Sequence, residues 1–363
     1  MTMTKIEKYR DDLLIDLIAE RLQFHRVANA LPVSVDYTYL WVAVGLFVEY
    51  GIFDLYNFFV SGKVSFITDP ASLSIPAMTI IGVIGLKYIH DSYADAVLYL
   101  GMEDKNIDIE ENIQTEFEGL VSLRLRLAGY IVSIFLYYIF VIFVLTIPNL
   151  IGVDGLGLVM YSQLVSFPLI IIPIFCELGI SYVAVHISIP RRIATTDFGL
   201  FYYDPENLGG FKPIGQLLKR SYYIYTSIVL LWFFETHAPI LLSEFTTSPY
   251  GAARPILQVV LSAVWGVGVL TIGYSMYRMH SIMKLKKEAK LRELKHELKV
   301  AIKDPHDINL SNIENRGRYD DAQEMIPHVK NTKTYPTTFT MWSQIFISVI
   351  LPQALNMAVQ LPE

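Results

Sequence analysis

Polar and apolar positions along this chain fall into long blocks instead of alternating. A hydrocarbon core about 30 Å thick is crossed by about 20 helical residues, and apolar runs of that order occur at 38–60, 75–90, 127–147, 158–186, 221–243 and 255–277. The third and sixth carry no charge, whereas Pro168, Pro173 and Glu177 interrupt the fourth. The pattern predicts an all-α, polytopic membrane helix bundle of six transmembrane helices with cytoplasmic helical extensions.

The flanking segments have their own periodicity. In 1–31, Ile6, Tyr9, Leu13, Leu17, Leu22 and Phe24 recur at helical spacing among charged residues, and Pro32 ends the stretch. Residues 1–36 therefore read as an amphipathic helix lying at the cytoplasmic interface, or packed on the cytoplasmic loops. The six-span bundle occupies 37–278, with cytoplasmic loops at 91–126 and 187–220. No Gly or Pro interrupts 278–303, where Leu285, Leu291, Leu294, Leu298 and Ile302 keep an apolar stripe, so the sixth helix is expected to run on out of the membrane. Residues 279–340 form this basic helix and a polar tail. The closing part, 341–363, contains a short apolar segment at 341–359 with Gln344, Pro352, Gln353 and Asn356; it reads as a seventh crossing, a re-entrant hairpin or an interfacial helix.

Composition excludes an ordinary soluble domain, because 53% of residues are hydrophobic and only 18% are charged. Charge then orients the bundle. Of 29 Lys and Arg residues, only Lys63 and Arg254 fall in connections on one side of the threaded spans, which places the N-terminus and the long tail inside. The expected location is the plasma membrane. A net charge of −6 gives no reason to expect a nucleic-acid partner. Cys176 is the single cysteine, so neither a disulfide framework nor a cysteine metal site is expected.

Ionisable residues inside spans carry the candidate chemistry, since hydrocarbon tolerates them only when paired or wetted. They are Glu49 and Asp54 in the first span, Lys87 in the second, Glu177 in the fourth, and Glu235 and His237 in the fifth. Counting along the helices puts Glu49 and Lys87 at similar depth on consecutive spans, so an intramembrane ion pair is expected between them. Glu177 and Glu235 have no basic partner at similar depth. With His237 and the proline-broken fourth span, they outline a path for a cation or proton, with Glu49 and Asp54 as further candidates.

Other features support alternatives. Asp91 and Asp95 stand at i, i+4 and could hold Mg²⁺ for a phosphate-handling enzyme, although Lys87 on the same stripe could neutralise them. No Gly-x-Ser-x-Gly, His-Glu-x-x-His or Gly-Lys-Ser/Thr motif accompanies them. The 102–119 segment is acidic, and the distal part of the basic helix is expected to pack on it. The loop from Asp204 to Pro213 contains Gly209 and Gly210 and marks a tight turn. It resembles an Asp-Pro-x-x-x-Gly-Gly loop that recurs in prokaryotic multi-span proteins, and the resemblance implies no activity.

The leading expectation is a cation or proton channel or transporter in the bilayer, homo-oligomeric and needing no cofactor. The alternative is a membrane-anchored signalling or scaffold protein whose cytoplasmic helix and loops bind a soluble partner. A Mg²⁺-dependent enzyme is the third reading.

Overall fold

In the computed structural model, residues 12–62, 65–103, 117, 119–145, 150–152, 155–196, 199–241, 255–304 and 313–336 are described. The segment 341–359, most of the acidic 102–119 stretch and the first residues of the N-terminal segment lie outside them.

The expected helical membrane bundle is present. Among the described residues, five helices are long and apolar enough to cross a bilayer: Tyr37–Val60, Pro70–Leu100, Leu123–Phe143, Leu156–Thr195 and Gln258–Val300. Each coincides with one of the predicted runs. The sixth expected span, 221–243, corresponds to helix Lys212–Leu241, which packs along Pro70–Leu100 but is not one of the five.

Two short helices, α1 (Leu14–Arg21) and α2 (Phe24–Ala30), precede the bundle and meet at Gln23, whose φ of 64° makes the corner. The long helices are α3 (Tyr37–Val60), α4 (Pro70–Leu100), α5 (Leu123–Phe143), α6 (Leu156–Thr195) and α7 (Lys212–Leu241). They are followed by α8 (Pro255–Val300) and α9 (Arg316–Asn331). The end of the bundle carrying α1 and α2 is termed proximal, and the end carrying the 65–69 turn distal.

The apolar face of α1 packs on the bundle. Leu13, Leu14, Ile15 and Ala19 are buried against α3 and α6, so the N-terminal segment plugs the proximal end of the bundle. By contrast α5 stands outermost, with Ile131, Val132, Phe135, Leu136 and Phe143 exposed, as suits side chains whose solvent is lipid.

Two helices depart from α geometry where polar groups gather. In α3, residues Phe47–Asp54 are π-helical, and in α6 residues Ser162–Ile171 are π-helical around Pro168. Wide turns of this kind are rare and concentrate at functional sites. Here the consequence is geometric. Residues five apart in an α-helix point about 140° away from each other, but the i→i+5 closure of the π-turn brings Glu49 and Asp54 onto one face.

The uninterrupted continuation of the last span is present as the 46-residue α8, about 69 Å long at 1.5 Å per residue and so far longer than a bilayer is thick. Its outer half packs on α9 around Leu294, Ala322 and Val329.

Candidate functional site

Two ionic knots lie at the proximal end, the first buried and the second partly exposed. In the first, Arg126 Nη1 donates to Glu177 Oε1 at 2.6 Å and to the Asp12 carbonyl at 2.6 Å, while the Leu14 amide donates to Glu177 Oε2 at 2.7 Å. Arg126 and Glu177 are both buried. Glu177 therefore does have a basic partner, contrary to the sequence expectation. Arg126 lies in the first turn of α5, which had been assigned to a cytoplasmic loop on account of its charge.

The second knot replaces the expected Glu49–Lys87 pair. Lys87 Nζ reaches Asp36 Oδ2 at 2.6 Å and Asp16 Oδ1 at 3.3 Å, and lies 4.7 Å from the centre of the Tyr39 ring. Asp36 also caps α3 by accepting the Thr38 amide at 2.8 Å, and the Thr38 hydroxyl donates to Asp16. Burial alone would raise the Asp36 pKa, but the Lys87 ammonium and the Thr38 donors outweigh it and hold the carboxyl below its ordinary 3.8. The common depth expected for Glu49 and Lys87 is not met: Lys87 pairs with α1 and with the N-cap of α3, thirteen residues before Glu49.

Glu49 faces α6 instead. Its two oxygens accept the hydroxyls of Ser162 at 2.6 Å and Ser166 at 2.5 Å, so the two π-helical stretches meet through these bonds. Asp54, on the same face, accepts the Phe66 amide from the distal turn at 3.2 Å. Both carboxylates border a cavity of 1590 Å³ that runs from the distal turn to Leu120, Ser122 and Arg192 near the proximal end. Its distal wall includes Asp69 and Glu235, and its middle is apolar, with Met78, Phe167, Phe175, Ile228 and Trp232. Among the described residues Asp69 Oδ1 is buried without a hydrogen-bond partner, and Glu235 lies within electrostatic reach of Asp69. Cys176 lies on the same wall.

The structure thus brings Glu49, Asp54 and Glu235 to one cavity, adds Asp69, and removes Glu177. His237 is not in the cavity wall; it stacks on Phe233 at 4.2 Å, with Nδ1 against the Phe233 carbonyl at 3.0 Å. Asp69 was missed because it lies in a polar turn between apolar runs, although its position just before Pro70 at the start of a helix was visible. His186 was also missed. Buried between Ser275 and Ser221, each 3.1 Å from a ring nitrogen, it ties α6 to α8 and α7.

No known family model, curated protein or solved structure matches this chain. Its function therefore has to be argued from the residues themselves.

Two remaining candidates carry less. Asp91 and Asp95 are exposed on one face of α4, and among the described residues no group of three or more His, Cys, Asp or Glu is arranged to hold a metal ion. In the Asp204 loop, the carboxylate accepts amides of Glu206 at 3.0 Å, Leu208 at 2.8 Å and Gly210 at 3.1 Å. Asn207, Gly209 and Gly210 adopt positive φ, conformations that favour glycine and tolerate asparagine. The loop holds the tail: the Lys333 amide donates to the Asn207 carbonyl at 2.7 Å, and the Tyr203 ring packs at a tilt against His328, their centres 4.7 Å apart. Beside it, burial and Glu293 push the Tyr202 hydroxyl up to about 12.

Proposed function

We propose that this multi-pass membrane protein is a transporter that moves a cation or proton through the cavity bordered by Glu49, Asp54, Asp69 and Glu235. The observation that carries this reading is the convergence of four acidic side chains, from α3, α4's leading turn and α7, on one cavity that extends most of the length of the bundle. Carboxylates at such depth are costly unless they are satisfied or used. Glu49 is satisfied by serines, whereas Asp69, which borders the cavity, has a buried oxygen with no hydrogen-bond partner among the described residues. The Arg126–Glu177 and Lys87–Asp36 knots at the proximal end supply the fixed part against which a gate could work.

The test is cation or proton flux into liposomes containing the purified protein. Glu235→Gln and Asp69→Asn are each expected to lower flux about tenfold or more, the effect of losing one charge-assisted contact. Unchanged flux in both variants would rule out this path.

A scaffold role is supported by a separate observation. The α8–α9 hairpin and the Asp204 loop pack together beyond the span, with Lys287 Nζ donating to the Lys330 and Thr332 carbonyls at 2.7 Å each and the Lys333 amide to the Asn207 carbonyl. Deletion of residues 284–329 would remove a co-purifying soluble partner under that reading.

A further inference from the structure

We infer that the cavity takes an organic cation with an apolar body, its charge seated between Asp69 and Glu235 and its body along the aromatic and aliphatic wall. The inference rests on the transport reading above and specifies its substrate class. Three observations converge.

First, Asp69 is 6% exposed, borders the cavity, and its Oδ1 has no hydrogen-bond partner among the described residues. A buried carboxylate oxygen left unmatched calls for a donor or a positive charge from whatever fills the space. Glu235 lies close enough to reinforce that demand. Glu49 and Asp54, already bonded to Ser162, Ser166 and the Phe66 amide, add negative field.

Second, the space is too apolar for a bare inorganic ion with its hydration shell along most of its length. Met78, Phe167, Phe175, Ile171, Val229 and Val264 line it, and a cavity of that character is not held open by water. At 1590 Å³ it also exceeds the roughly 300–1,000 Å³ of ordinary small-molecule sites.

Third, the ring of Trp232, from the same helix as Glu235, borders the cavity, and an aromatic face attracts a desolvated cation. An anionic phospholipid is the poorer occupant. Its headgroup phosphate would meet the distal carboxylates, and like charges brought together in a low dielectric repel strongly.

The experiment uses the full-length protein in phosphatidylcholine nanodiscs with tetraphenylphosphonium as probe and tetraphenylborate, of the same shape and opposite charge, as comparison. Saturable binding is expected for the cation and not for the anion. Asp69→Asn and Glu235→Gln should each weaken it by about tenfold or more, the loss of one charge-assisted contact. Asp91→Asn, on the exposed face of α4, should leave it unchanged. Equal binding of both ions by the wild-type protein would overturn the inference without requiring any variant. So would cation binding that survives both substitutions in protein of unchanged helicity and elution volume. If the probe fails to bind while Asp69→Asn still abolishes proton or alkali-cation flux, the substrate class is wrong and the path stands. If flux is unaffected as well, both fall.

Discussion

Arg126 Nη1 lies 2.6 Å from Glu177 Oε1, with neither residue reaching solvent, and the same guanidinium and carboxylate hold the Asp12 carbonyl and the Leu14 amide. One ion pair thus joins α5, α6 and the N-terminal plug. Removing one partner leaves a charge buried without compensation, which typically costs about 3–5 kcal/mol, whereas replacing both with apolar residues of similar volume is often mild. Arg126→Met should therefore lower the melting temperature sharply and make the segment around α1 sensitive to protease. The Arg126→Met/Glu177→Leu double variant should recover most of the melting temperature. Thermal unfolding in detergent checks both, and a double variant as unstable as the single would refute the pairing argument.

How much of this was legible in the sequence depended on whether a residue's environment was set locally. Leu123–Phe143 and Leu156–Thr195 were recognised because length and apolar content alone decide a span. Lys87 is buried, as an ionisable residue inside an apolar run suggests, but it was expected at the depth of Glu49 and instead meets the N-cap of α3. Its partner was not legible, because Asp16 and Asp36 reach it only after α1 folds back onto the bundle. Arg126 misled for a related reason: a charge at the edge of an apolar run is counted as loop, yet here the plug buries it. The shared face of Glu49 and Asp54 depends on a π-turn that no spacing rule for α-helices anticipates.

The Lys87 knot gives a pH prediction. Asp36 has its folded pKa below the ordinary 3.8, so its ionised form stabilises the fold above about that pH. That contribution falls away as pH drops through the lower, folded value. Its side chain is 37% exposed, so solvent screening keeps the effect modest. Melting temperature measured between pH 6 and pH 3 should decline in the wild-type protein, and part of that decline should vanish in Asp36→Asn. An identical acid limb in the variant would show that Asp36 does not contribute.

Gly268 marks the closest approach of α8 to α7. A Cβ there would come within 2.4 Å of Tyr225 Cε1, and the Gly268 carbonyl accepts the Tyr182 hydroxyl at 3.0 Å. Tyr225 is itself held by the Val264 carbonyl at 2.5 Å and stacks on Tyr182, so it has little freedom to yield. Gly268→Val should cost about 1–3 kcal/mol through overpacking. Gly266→Val, where a Cβ would meet nothing within 4 Å, should cost far less. Unfolding of the two variants side by side makes the comparison, and equal losses would mean that the helix contact is not tight.

Cys176 turns the cavity itself into a measurable object, because it is the chain's single cysteine and borders the cavity. A thiol in this apolar space should be reached by a small neutral maleimide and much more slowly by an anionic sulfonate reagent, which must leave water and approach four acidic residues. Intact mass after timed exposure gives both rates. The adduct fills space that the proposed path requires, so labelled wild-type protein should lose flux, while Cys176→Ser should keep its flux through the same treatment. Rapid labelling by the sulfonate would show instead that the cavity is water-filled and open at this depth. The apolar wall would then be the surface of an aqueous channel, and inorganic cations would become the better substrate class.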